Sequence, residues 1–232
     1  MNIATVAGEL WQALANDNMF AVSTILRSTE IWFILAPVFA AFVAVTVAIL
    51  RFVPFIDRNF ERWLMIILYI VMTAIIFGEV IRRTSATLGI PGIGDIQSWA
   101  GSSTVPAWIF LVLTWLGASY SIKRRTQLNF SELRSVMPRF WQIAMLGLDW
   151  VLWTSFAYII FVVGIQRTVN SSNNFQIVPG TDDMMQWWYY AAIPVCWVLL
   201  AARAWIVFGD DRVNYRTGKP MLEQVSMTET EA

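Results

Sequence analysis

The chain has no histidine. That one absence removes His-ligated haem, His-bound zinc or copper, and a Ser-His-Asp triad. Cysteine is nearly missing too. The single Cys196 can form neither an internal disulfide nor an iron–sulfur cluster. It lies inside an apolar run and reads as a small packing residue. Charge is scarce: 14% of residues are Asp, Glu, Lys or Arg, where a soluble domain carries about 25%. Sixteen basic residues balance sixteen acidic ones, so the molecule as a whole is not a nucleic-acid binder. Before residue 30 there is no basic segment followed by a short apolar core, so a cleaved signal peptide is not expected.

What the chain has in quantity is apolar length. Of 232 residues, 57% are hydrophobic and 13 are Trp; the mean hydropathy is +0.57. Five runs, 31–50, 63–81, 105–122, 143–165 and 187–208, approach the ~20 apolar residues that cross a bilayer as helix. A helix satisfies its own backbone polar groups, so helices are what such runs become in lipid. The expected fold is all-α: a polytopic membrane bundle of five transmembrane helices. Lys and Arg mark the cytoplasmic side. Segments 51–62 and 123–142 and the tail after 208 hold eleven of them, and the opposite side holds four: Arg27, Arg82, Arg83 and Arg167. This predicts an outside N-terminus and an inside C-terminus. Residues 1–30 are then an outer tail, 31–208 the membrane domain and 209–232 a cytoplasmic tail. Trp32, Trp63, Trp108, Trp141, Trp187, Trp188 and Trp205 fall near span ends, as interfacial belts require.

Between the spans the pattern is weaker. Leu10, Trp11 and Leu14 cluster in the outer tail and suit a short helix lying on the membrane surface. Residues 127–141 (QLNFSELRSVMPRFW) mix basic and apolar side chains and read as an amphipathic helix on the cytoplasmic surface, with arginines reaching lipid phosphates. Ala36, Ala40, Ala44 and Ala48 form a stripe of small residues at a spacing of four. It is either a packing seam or ordinary filler.

Three spans carry one charge each: Glu79, Asp149 and Arg203. Glu79 precedes Arg82 and Arg83 by three and four residues, so it pairs along its own helix. Asp149 and Arg203 both lie roughly 8–9 Å inside the cytoplasmic boundary at 1.5 Å per residue. They are a candidate intramembrane ion pair. Arg203 has a second option in snorkelling to lipid phosphate. Catalysis has only Asp149, Glu79 and hydroxyl residues to draw on, in no recognisable motif. No internal repeat and no matched pair of broken spans marks a midplane transport site. The expectation is a non-enzyme without a cofactor or metal.

Three stretches carry a resemblance: residues 72–83 (MTAIIFGEVIRR), residues 115–125 (WLGASYSIKRR) with Pro138 beyond, and residues 187–195 (WWYYAAIPV). In this order and spacing the chain resembles, over about residues 63–208, the small DctQ-type permease subunit of TRAP transporters. It departs from that family in carrying a fifth span at its N-terminus, and no His follows the basic patch. The resemblance implies two protein partners, a large DctM-type permease subunit and a periplasmic substrate-binding protein, besides membrane lipids. It implies sodium-driven uptake of an organic acid across the bacterial inner membrane. The small subunit would act as a non-catalytic scaffold that helps dock the binding protein. On its motifs, Gly117, Lys123, Arg124, Arg125, Pro138, Trp188, Tyr189 and Pro194 are candidate partner or lipid contacts. The competing reading is a stand-alone membrane carrier or channel.

Overall fold

Each of the five apolar runs becomes one helix, and every helix outlasts its run. The computed structural model describes residues 3–90, 92, 100–125, 137–179, 181 and 183–219. Seven α-helices stand among them: α1 (Ile3–Ala15), α2 (Met19–Ile25), α3 (Ile31–Phe52), α4 (Pro54–Thr87), α5 (Thr104–Arg124), α6 (Arg139–Asn173) and α7 (Trp187–Thr217). The last five are long and apolar enough to cross a membrane. The all-α expectation stands: the described residues add one short 3-10 turn, Ala100–Ser102, and one isolated bridge, between Ile177 and Met185. The surface helix expected over 127–141 falls mostly on residues 126–136, outside the described residues, while 139–141 open α6.

Local chemistry explains the boundaries. A single residue, Val53, separates α3 from α4. Proline disfavours helical geometry in the residue before it, and Val53 is extended (φ −119°, ψ 83°). Pro54 then fits the first helical position, where its missing N–H is no loss. The 34-residue α4 is therefore roughly 50 Å long, well beyond the ~30 Å hydrocarbon core. Its first turns, with Asp57 and Glu61, extend past the end of the apolar run. Asn18 caps α2 by accepting from the Ala21 N–H at 3.1 Å. Arg125 ends α5 in the left-handed conformation (φ 54°), which is costly for a side chain with a Cβ.

Helix α7 is the centre of the bundle. Residues 196–204 are buried without interruption, and α3, α5 and α6 pack around them. A helix apolar on every side is what a surrounded position requires. Helix α4 is the opposite case. It leans on α5 and α3, and none of its most apolar 18-residue stretch is buried. The seam between α6 and α7 is tight at Gly164, where an added Cβ would lie 3.1 Å from both Ile193 Cγ2 and Pro194 Cδ.

The N-terminal helices belong to the bundle. Arg27 donates to Asn170 Oδ1 at 2.9 Å, Gln166 donates to the Leu26 carbonyl at 2.7 Å, and Tyr158 donates to the Trp32 carbonyl. Phe39 lies against Tyr158 and Phe161, with centroids 5.4 and 5.1 Å apart. The face of α3 that packs is Ile31, Leu35, Phe39, Val43 and Leu50. Ala36, Ala40 and Ala44 are exposed, so the alanine stripe is not the seam within this chain.

Candidate functional site

The ends of α3, α4, α5, α6 and α7 that carry Arg51, Arg62, Arg125, Arg139 and Arg212 share one side of the bundle. On that side, α4, α5 and α7 converge on a cluster of charges. Asp57 and Glu61 are four residues apart on α4, as Ser119 and Lys123 are on α5, so each pair shares a helix face. Arg203 of α7 reaches between the two helices. Its Nε donates to Glu61 Oε1 at 2.9 Å. Its Nη1 donates to the Asp57 carboxylate, and its Nη2 to the Asp57 carbonyl at 3.1 Å. Ser119 Oγ donates to the same Glu61 oxygen at 2.9 Å. Lys123 Nζ stands 3.4 Å from Asp57 Oδ2 and donates to the Asp57 carbonyl.

Burial decides what these contacts mean. Arg203 and Glu61 are each 1% exposed. Among the described residues Glu61 Oε2 is buried with no hydrogen-bond partner, and its compensation comes from Arg203 and Ser119. Two carboxylates face two cations, and the cluster is neutral. One turn and more beyond it, Arg125 pairs with Asp211, itself 1% exposed. Among the described residues these charged groups pair with one another. The arrangement ties three helices together.

The residues singled out from sequence fare differently. Lys123 and Arg203 meet at Asp57. The pairing of Arg203 with Asp149 is not formed: Arg203 faces α4, and Asp149 sits half-buried on α6. The reason is the length of α4, which carries two carboxylates into a region that hydropathy assigns to a loop. Arg124 donates to Tyr120 Oη at 2.9 Å and lies over that ring, 5.3 Å from its centroid. Pro138 precedes α6 with extended geometry (ψ 147°). Gly117 has open space where a Cβ would stand. Trp188 is 65% exposed and stacks on Trp187. Tyr189 stacks on Trp108 at 4.9 Å, and Pro194 seats against Gly164. Glu79 takes both of its expected arginines, Arg82 at 2.8 Å and Arg83 at 2.7 Å. Sequence reasoning missed Asp57, Glu61, Ser119 and Asp211. The signal that finds the first two is Pro54 as a helix start followed by carboxylates four residues apart.

Comparison with known proteins gives one match. The family model for tripartite ATP-independent periplasmic transporters, DctQ component, matches residues 72–210. No curated protein and no solved structure matches the chain.

Proposed function

The chain belongs to the DctQ family, the small membrane component of TRAP transporters, and from that premise we propose that it is a non-catalytic scaffold. In this reading it holds a large DctM-type permease in the bacterial inner membrane during sodium-driven uptake of an organic acid. It also helps dock the periplasmic binding protein. The observation that carries the reading is the state of α4. Its apolar stretch has no buried residue, and Ile66, Ile67, Ile70 and Phe77 all point outward. The charge cluster meanwhile fixes its base to α5 and α7. An outer helix with a firm foot and an unclaimed apolar flank suits a surface on which a larger subunit rests. The basic end is taken as cytoplasmic, and five crossings then leave the N-terminus in the periplasm.

Reconstitution tests this directly. Proteoliposomes containing this chain, a large permease subunit and a binding protein should accumulate substrate under a sodium gradient. Vesicles containing this chain alone should not. Substrate-specific uptake by the chain alone would make it a stand-alone carrier or channel and end the scaffold reading.

A further inference from the structure

A cavity of about 550 Å³ opens between α3 and α4, with α6 and α7 completing its wall. We infer that it holds one acyl chain of a phospholipid whose phosphate rests on Arg51. The lining is apolar, including Phe42, Ile49, Phe60, Phe161, Val198 and Leu199. The one polar side chain lining it, Thr46, turns its hydroxyl to the Phe42 carbonyl at 2.8 Å. Nothing in the lining therefore asks for a polar ligand, and in a membrane the cavity fills with hydrocarbon.

Three observations point to a lipid. First, size. The lining of α3 runs from Phe42 to Leu50, a depth of roughly 12 Å at 1.5 Å per residue, and about 550 Å³ leaves room for a stretch of one acyl chain. Second, position. The cavity reaches the basic end at Leu50 and Ile56, where the headgroup of a lipid lying along it would sit. Third, charge. Arg51 directly follows the lining residues Ile49 and Leu50, and its Nη2 reaches α7, 3.5 Å from where a Cβ on Gly209 would stand. Its side chain forms no hydrogen bond or ion pair with the described residues. A guanidinium on the residue next to the last lining position of α3 suits a phosphodiester, which it binds through paired N–H donors. The cavity depends on α3, which lies outside the family match, so this inference goes beyond the scaffold reading.

The test uses the full chain, with whatever co-purifies, in nanodiscs of phosphatidylethanolamine and phosphatidylglycerol. The probe is phosphatidylglycerol with a mid-chain diazirine. Photolysis should concentrate label on residues 42–50 and 194–199, above the background on α4 around Phe77. Thr46→Trp should abolish that excess. Val195→Trp, at an exposed position in the lining, should do the same without crowding the core. Arg51→Gln should lower it roughly tenfold, the loss expected for one charged hydrogen-bonded contact. Label spread evenly over the lipid-facing helices would overturn the proposal, as would indifference to both tryptophans. Equal labelling by a diazirine diacylglycerol would overturn the phosphate contact. A photo-crosslinker at position 46 that captures a protein segment would assign the cavity to a partner helix instead. A nanodisc has no inside, so none of these outcomes bears on orientation or on scaffolding.

Discussion

Arg203 is the residue on which the basic end depends. Its attraction to Glu61 is bought with the desolvation of both groups, so the pair is not a simple gain. Breaking it is another matter. Arg203→Met strands Glu61, whose second oxygen already lacks a partner, and should destabilise the protein by about 3–5 kcal/mol. Adding Glu61→Leu should recover most of that, because Asp57 keeps Lys123 and some water. Asp57→Asn alone should cost less, about 1 kcal/mol, since its carboxylate is 35% exposed. Intrinsic Trp fluorescence melts in mild detergent measure these three variants and Glu61→Leu alone. Strict additivity of the two buried changes would mean that they are not coupled. Two glycines give a second pair of opposed outcomes. Gly164→Ala places a Cβ 3.1 Å from the Pro194 ring, which cannot yield, and should cost about 1–3 kcal/mol. Gly147→Ala meets only the Phe208 ring at 3.6 Å and should be neutral or gain up to ~1 kcal/mol from helix propensity. The same melts decide the sign.

At the scale of elements, five helices were legible because twenty apolar residues have few other fates in lipid. Their ends were not, because a hydropathy window stops where charge begins and a helix does not. Asp57, Arg58, Glu61 and Arg62 lowered the apolar signal while remaining sound helix formers. The partner of Arg203 was hidden for the same reason, compounded by α7 itself. Residues 196–204 are apolar around the whole helix except for Arg203, so periodicity gave no face to aim from. The alanine spacing on α3 was visible but sits on the exposed side, and the true seam uses larger residues. Helix α3 also poses a question of need. It lies outside the matched family region yet makes a polar link to α6 through Tyr158, and Leu26, before it, accepts from Gln166. A chain starting at residue 53 should still insert and still co-purify with a large permease subunit. It should melt several degrees lower, because the Gln166 amide and the Tyr158 hydroxyl lose their acceptors. Loss of co-purification with an unchanged melt would place α3 in the partner interface instead.

Among the described residues the bundle is one central helix, α7, with α3, α5 and α6 around it, α4 on the outside and a charge cluster at one end. Its class and family could be read from composition and three short motifs, since both depend on order along the chain. Which helix lies at the centre depends on contacts between distant segments, and no single segment announces it. Orientation is the remaining whole-molecule property, and it rests on charge. Eleven of the sixteen Lys and Arg residues fall on one side of the spans, and basic segments are retained in the cytoplasm. Among the described residues on that side, Lys123, Arg125 and Arg139 bond to residues of other helices or to the segment after α7. Arg51, Arg62, Arg212 and Arg216 are exposed, so most of the bias faces water or headgroups, where it acts on insertion. Thr5→Cys, in a background of Cys196→Ala, should react with a membrane-impermeant maleimide in intact cells. Val225→Cys should react only after the membrane is permeabilised. Replacing Cys196 is needed for a clean background and should be benign, since a buried thiol acts as a small apolar group. The reverse pattern would invert the bundle and carry the Arg203 cluster to the periplasmic face. Labelling of both positions from outside would mean that one of the five helices does not cross.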